Sequence, residues 1–73
     1  MAQEQVEFPI TGRITSVNVS NGSVVEEGDI LCLLESMKME NPILAPVGGT
    51  VTGLNFSPGQ VVEAGDLVAI IEY

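Results

Sequence analysis

Val24-Val25-Glu26-Glu27-Gly28-Asp29 returns 37 residues later as Val61-Val62-Glu63-Ala64-Gly65-Asp66. Around this pair the chain aligns with itself without a gap. Pro9 meets Pro46, Gly12 meets Gly49, Thr15 meets Thr52, Asn18 meets Asn55, Ser20 meets Ser57, Gly22 meets Gly59 and Glu35 meets Glu72. Positions 9–36 give 12 identities in 28, and most of the remainder exchange one apolar residue for another, as Ile14 for Val51 or Leu33 for Ile70. Such regularity means two copies of one supersecondary unit, packed together because neither buries its apolar face alone. The repeat halves are residues 9–36 and 46–73 of a single domain, 1–73.

Each copy has the grammar of short strands. Gly12 to Val19 alternates, with Thr15, Val17 and Val19 expected on one face and Ser16 and Asn18 on the other. Ser20-Asn21-Gly22-Ser23 then signals a turn through Asn-Gly, two residues that tolerate positive φ. The second copy has Ser57-Pro58-Gly59-Gln60, which suits a type II turn. Val24-Val25 and Val61-Val62 allow strands of two or three residues. The glycine in each following acidic turn implies a backbone angle that only glycine adopts cheaply. Asp29 and Asp66 are expected to bond nearby backbone amides rather than act as metal ligands or catalytic acids. Ile30–Leu34 and Leu67–Ile71 are apolar runs of strand length whose inward faces periodicity alone does not choose. Cys32, aligned with Ala69, is expected to be a small core residue. The N-terminal stretch to Glu7 corresponds to Lys38–Leu44 and implies a short edge strand. Glycine and proline interrupt every window long enough for a helix, so the class is all-β, a small sandwich or barrel.

Composition narrows the function. At 73 residues the core is marginal, since a chain of this size buries only about 60% of the surface its unfolded form exposes. One cysteine and no histidine provide neither a disulfide nor a zinc-ligand set. Ten acidic residues against Arg13 and Lys38 give a formal charge of −8, which repels nucleic-acid backbone and anionic membrane surface. No apolar run approaches the ~20 residues of a membrane span, and the acidic N-terminus lacks a signal-peptide pattern. A reduced, cytoplasmic protein is the expectation.

At the junction of the copies stands Glu35-Ser36-Met37-Lys38-Met39-Glu40, which holds the only lysine. The 37-residue offset maps Lys38 onto Met1, so the lysine and the chain ends are expected at opposite poles. A lone lysine on a hairpin ordinarily discourages edge pairing. Methionine on both sides does not fit that role, because a hairpin tip favours Asn, Asp or Gly. A local rule broken at one defined spot marks a candidate functional site.

Glu35-Ser36-Met37-Lys38-Met39-Glu40-Asn41, followed by Ala45-Pro46 and Gly49-Thr50-Val51, resembles the biotin-attachment region of biotin carboxyl carrier proteins. Gly12, Val24 and Gly28-Asp29 also fall where that family has them, and the resemblance covers essentially the whole chain. It implies a flattened β-barrel of two four-stranded antiparallel sheets, the barrel-sandwich hybrid, with an attachment hairpin at 36–40. Biotin protein ligase would join biotin to Lys38 as an amide. Met37 and Met39, with Glu35 and Ser36, would form the surface read by the ligase and partner enzymes. The attached biotin would carry a carboxyl group from a biotin carboxylase to a carboxyltransferase or decarboxylase subunit, and the domain itself would catalyse nothing. Two features depart from the family pattern. Ser36 stands where alanine is commonest, and Ser20–Ser23 leaves no room for the protruding loop of some bacterial carriers. A lipoyl carrier of a 2-oxo acid dehydrogenase or glycine-cleavage system has a similar fold but typically shows Asp-Lys-Ala at the tip. An unmodified interaction module of this fold is a third alternative, against which the retained lysine argues. The absence of a Pro/Ala-rich linker before residue 8 leaves open a free-standing subunit or a domain of a longer chain.

Overall fold

The computed structural model describes residues 2–73. Its eight strands are β1 (Gln3–Glu7), β2 (Gly12–Val17), β3 (Val24–Val25), β4 (Ile30–Ser36), β5 (Met39–Leu44), β6 (Gly49–Thr52), β7 (Val61–Val62) and β8 (Leu67–Glu72). They form two four-stranded antiparallel sheets, ordered β5-β4-β2-β7 and β1-β8-β6-β3. No helix occurs among the described residues. Adding 37 to a residue number converts β2, β3 and β4 into β6, β7 and β8, and β1 into most of β5. Each sheet therefore holds the same four positions, and its outermost two-residue strand comes from the other copy. Hydrogen bonds repeat with the sequence. Phe8 N–H donates to Asp66 O at 2.9 Å and Ala45 N–H to Asp29 O at 2.8 Å, while Gly59 N–H reaches Ile14 O and Gly22 N–H reaches Val51 O.

Bulges decide which residues face the core. In both apolar runs two successive residues are buried, Leu31 with Cys32 and Val68 with Ala69. The β4–β5 register slips between Ile30 and Cys32, and the β1–β8 register slips opposite Leu67 and Ala69. A bulge places two residues against one on the partner strand, so side-chain alternation is locally broken. A further slip between Ile14 and Ser16 corrects the expected face of Thr15. Ile14 is 1% exposed in the core, and Val17 and Val19 pack against that core. Thr15 is the extra residue between them, and its hydroxyl reaches Leu33 O and Glu40 Oε2 instead. The interior is built from Ile14, Leu31, Cys32, Leu34, Val51, Val68 and Ile71, and Phe8 meets Phe56 edge-on at 5.5 Å.

The turns are nearly identical in the two copies. Gly22 and Gly59 have φ of 94° and 92°, and Ser23 N–H and Gln60 N–H close the turns on Ser20 O and Ser57 O. Asn21 keeps negative φ, so Asn-Gly here makes the same turn as Pro-Gly rather than one with two left-handed residues. In the acidic turns, Glu26 N–H donates to Asp29 Oδ2 at 2.8 Å and Glu63 N–H to Asp66 Oδ2 at 2.9 Å, with Gly28 and Gly65 at φ 91° and 93°. Both aspartates are the turn-formers expected from sequence.

The long dimension is 37 Å against 18 and 17 Å across. β2 descends from the level of Glu35 to that of Cys32. The chain then crosses to Val24, beside Thr50 and Glu72. Ala2 and Tyr73 exchange both backbone hydrogen bonds at that end, away from the β4–β5 hairpin. Met1, which the repeat sets opposite Lys38, lies outside the described residues. At the hairpin, Ser36 pairs with Met39, leaving Met37 and Lys38 as a two-residue tip. Both tip residues are left-handed, at φ 53° and 67°, and they are the only non-glycine residues with positive φ among those described. This is the conformation that Asn-Gly suits, and side chains with a Cβ adopt it at a cost of about 1–2 kcal/mol each.

Replacing the tip by Met37→Asn with Lys38→Gly should therefore raise unfolding stability by ~1–2 kcal/mol in a urea titration. Cys32 is fully buried, and desolvation pushes its thiol up to about 11. Native protein should resist iodoacetamide while unfolded protein reacts fully. A thiol raised in the folded state contributes stability that is complete below its unfolded value and fades as pH rises towards 11. Chemical denaturation of the parent beside Cys32→Ala between pH 8 and 11 should show a loss of stability in the parent that the variant lacks.

Candidate functional site

The hairpin projects because its stem is rigid and its tip is not held down. β4 lies between β5 and β2 and is paired on both sides. β5 is an edge strand, which accommodates Pro42 because one side of its backbone needs no partner. Leu34 is fully buried one residue before Glu35 and anchors the stem to the core. From Met37 to Pro42 no residue belongs to the core, and burial falls away abruptly at the tip. Met37 is 92% exposed and Met39 67% exposed. Lys38 is also exposed and is in no salt bridge among the described residues.

The residues expected to form the site are thus brought together at one end. Lys38 occupies the second tip position, with Met37 before it in the tip and Met39 opening β5. Ser36 is the last residue of β4 and faces Met39 across the ladder. Glu35, one step lower, faces Glu40. Asn41 Nδ2 donates to Met39 O at 3.3 Å and steadies the start of β5. Two successive left-handed residues turn the chain within the tip, so an amine on a four-carbon stem stands between two flexible apolar side chains. Such an amine is a nucleophile when deprotonated, and methionine adapts to partner surfaces of differing shape. These features fit covalent attachment of an acyl group, and no other side-chain amine exists in the sequence.

Two residues near the site were not singled out from sequence. Arg13 Nη2 lies 3.5 Å from Glu35 Oε1, both side chains being substantially exposed. Thr15 Oγ1 donates to Glu40 Oε2 at 3.1 Å. Both come from β2, the neighbour of β4, and their contacts depend on a register that the repeat does not reveal. The available signal was that Arg13 is the sole arginine and meets Thr50 in the repeat. An open pocket of about 320 Å³ is lined by Phe8, Phe56, Gln60, Val62 and neighbours, and no hairpin residue contributes to it. No helix among the described residues is long and apolar enough to cross a membrane.

Known proteins share both this sequence and this shape. Over 39 residues the chain is 54% identical to the glutaconyl-CoA decarboxylase subunit gamma of Acidaminococcus fermentans, covering 53% of this chain and 27% of that one. Over 42 residues it is 50% identical to the biotinylated protein TB7.3 homolog of Mycobacterium leprae, covering 58% of this chain and 59% of the relative. The chain thus spans between about a quarter and three-fifths of the length of these curated relatives. The urea carboxylase of Kluyveromyces lactis superposes with a TM-score of 0.89 at 36% identity, over 99% of this chain and 6% of that one. The sequence profile described as "Biotin-requiring enzyme" matches residues 4–71. With nearly its full length matched and its two-sheet fold reproduced in a carboxylase, this chain belongs to the biotin/lipoyl attachment family.

Proposed function

We propose that Lys38 carries biotin in amide linkage and that residues 1–73 act as one biotinyl carrier domain of a biotin-dependent carboxylase, transcarboxylase or decarboxylase. The observation that carries this reading is the only lysine, exposed on a strained two-residue tip between two exposed methionines. The names of the decarboxylase gamma subunit, the biotinylated mycobacterial protein and the urea carboxylase support it. Methionine on both sides of the lysine favours biotin over lipoate.

Each residue has a definable part. The Lys38 Nζ, deprotonated, attacks a biotin carboxyl group that a biotin protein ligase has activated with ATP. The C–N bond forms, the activating group leaves and the amine gives up a proton. The formal charge changes from −8 to −9 as the ammonium is lost. Biotin, once bound, supplies the group that takes up a carboxyl at a biotin carboxylase and yields it at a carboxyltransferase or decarboxylase site. Met37 and Met39 offer apolar shoulders to each of these enzymes, with Ser36 and Glu35 at the base of the tip. The domain contributes reach and orientation, and the chemistry belongs to its partners. As the chain has a single lysine, attachment elsewhere on a side-chain amine is impossible.

Lys38→Arg keeps the charge but offers no acylable amine at neutral pH, because a guanidinium stays protonated. The variant should fold as the parent does, and purified ligase with biotin and ATP should add no biotin mass to it. The exchange Met37→Lys with Lys38→Met preserves composition and should alter stability by less than ~1 kcal/mol, as surface changes usually do. Ligase labelling should nonetheless fall severely, because each tip position aims its side chain differently. Labelling of the exchanged protein at the parental rate would mean that the ligase needs only an accessible lysine beside methionine.

A further inference from the structure

The two halves seat their outermost acidic side chains differently. In the second half, Glu72 of β8 faces Gln3 of β1, and Gln3 Nε2 donates to Glu72 Oε2 at 3.1 Å. The equivalent positions in the first half are Glu35 and Glu40, also directly opposite one another. Like charges in that relation repel. They stand three residues before and two residues after Lys38, so they are the carboxylates nearest to it along the chain. Neither pairs with it among the described residues. Glu35 is held by Arg13 at 3.5 Å, and Glu40 accepts from Thr15 at 3.1 Å. Both holders are on β2. The second half has Thr50 in place of Arg13; its Thr52 hydroxyl bonds Ile70 O just as that of Thr15 reaches Leu33 O, but no glutamate stands at the place of Glu40.

We propose that Arg13 and Thr15 are positioning residues that draw Glu35 and Glu40 towards β2 and off Lys38, leaving its amine free for acylation. This rests on Lys38 being the acylated residue. A carboxylate that pairs with an ammonium favours the charged form, so less free amine exists at a given pH, and the side chain is tethered as well. The other acidic groups towards this end are Glu7, which closes β1, and Glu63 and Asp66 in the turn after β7. Asp66 is already engaged by Glu63 N–H at 2.9 Å. Glu35 and Glu40 are the two on the hairpin strands themselves, and so the two whose release would matter most.

The test uses an N-hydroxysuccinimide ester of biotin, which acylates the amine with loss of N-hydroxysuccinimide and needs no ligase. Modification of Lys38 is followed by peptide mass across pH 6.5–9.5, which separates it from the α-amino group. In Arg13→Ala the profile should move to higher pH, with the rate at pH 8 down about two- to fivefold, the scale of an exposed ion pair. Arg13→Lys should restore the parental profile, and a thermal melt checks that each variant is folded. The decisive measurement is the cycle with Glu35→Gln. That change should have little effect while Arg13 is present and should return Arg13→Ala to the parental rate. An equal effect of Glu35→Gln in both backgrounds would mean that only the summed field acts, and the proposal fails. A parental profile in Arg13→Ala overturns it too. Thr15→Val with Glu40→Gln forms a second cycle with the same expectation. If the ligase leaves the parental Lys38 unlabelled, the functional reading fails, and the reagent profiles still decide the role of Arg13 and Thr15.

Discussion

Neither copy of the repeat closes a sheet on its own, and the rest of the structure depends on how that is solved. Each copy contributes two longer strands to one sheet and sends its two-residue strand to the other, so that β3 covers β6 and β7 covers β2. The exchange puts Val25 and Val62 into the shared core while Val24 and Val61 remain outside. A chain of 73 residues with one cysteine and no histidine has little apolar area to spare. Sharing the edges gives both sheets a common interior, so neither copy could be removed without exposing the other.

Symmetry of the framework makes the asymmetry of its ends informative. At one pole β4 and β5 are joined through Met37 and Lys38; at the other Ala2 and Tyr73 pair as Met39 and Ser36 do. The same ladder therefore ends once in a continuous tip and once in the pairing of Ala2 with Tyr73. The joined end departs from favourable turn chemistry, with two left-handed residues that each bear a long side chain. Strain of this kind persists only where the surrounding structure over-determines it. Here the fully buried Leu34 and the flanking strand β2 hold the stem in register, so the unfavourable tip is borne by the fold beneath it.

The repeat made the architecture legible because it reports on pairing that no local window contains. Offset identities implied equivalent strands, turns and poles, and a family resemblance carried by Met37-Lys38-Met39 added the sheet order's class and the site. Side-chain direction was not legible. The bulge at Thr15 and those beside Leu31 and Val68 come from two sheets fitting around one core, and alternation along a single strand contains no trace of them. Asn21-Gly22 was ambiguous for a related reason. Asn-Gly permits two left-handed residues, but the turn shared with Pro58-Gly59 uses one. Contacts from Arg13 and Thr15 to the hairpin were hidden because they cross strands far apart in sequence.

On the proposed carrier role the tip must be presented to more than one active site, and that demand accounts for the sharp division of rigidity and freedom along β4. From Leu31 to Leu34 every residue but the half-buried Leu33 lies in the core, and three residues later Met37 is almost wholly in solvent. A flexible stem would let the tip fold back onto the exposed valines and leucines of the sheet edges. A buried tip would not enter an enzyme's active site. Strand pairing on both sides of β4 prevents the first, and a two-residue connection with no room to collapse prevents the second. The strong negative charge works in the same direction. It sets like charges against one another when two copies approach, which opposes contact between their apolar methionines.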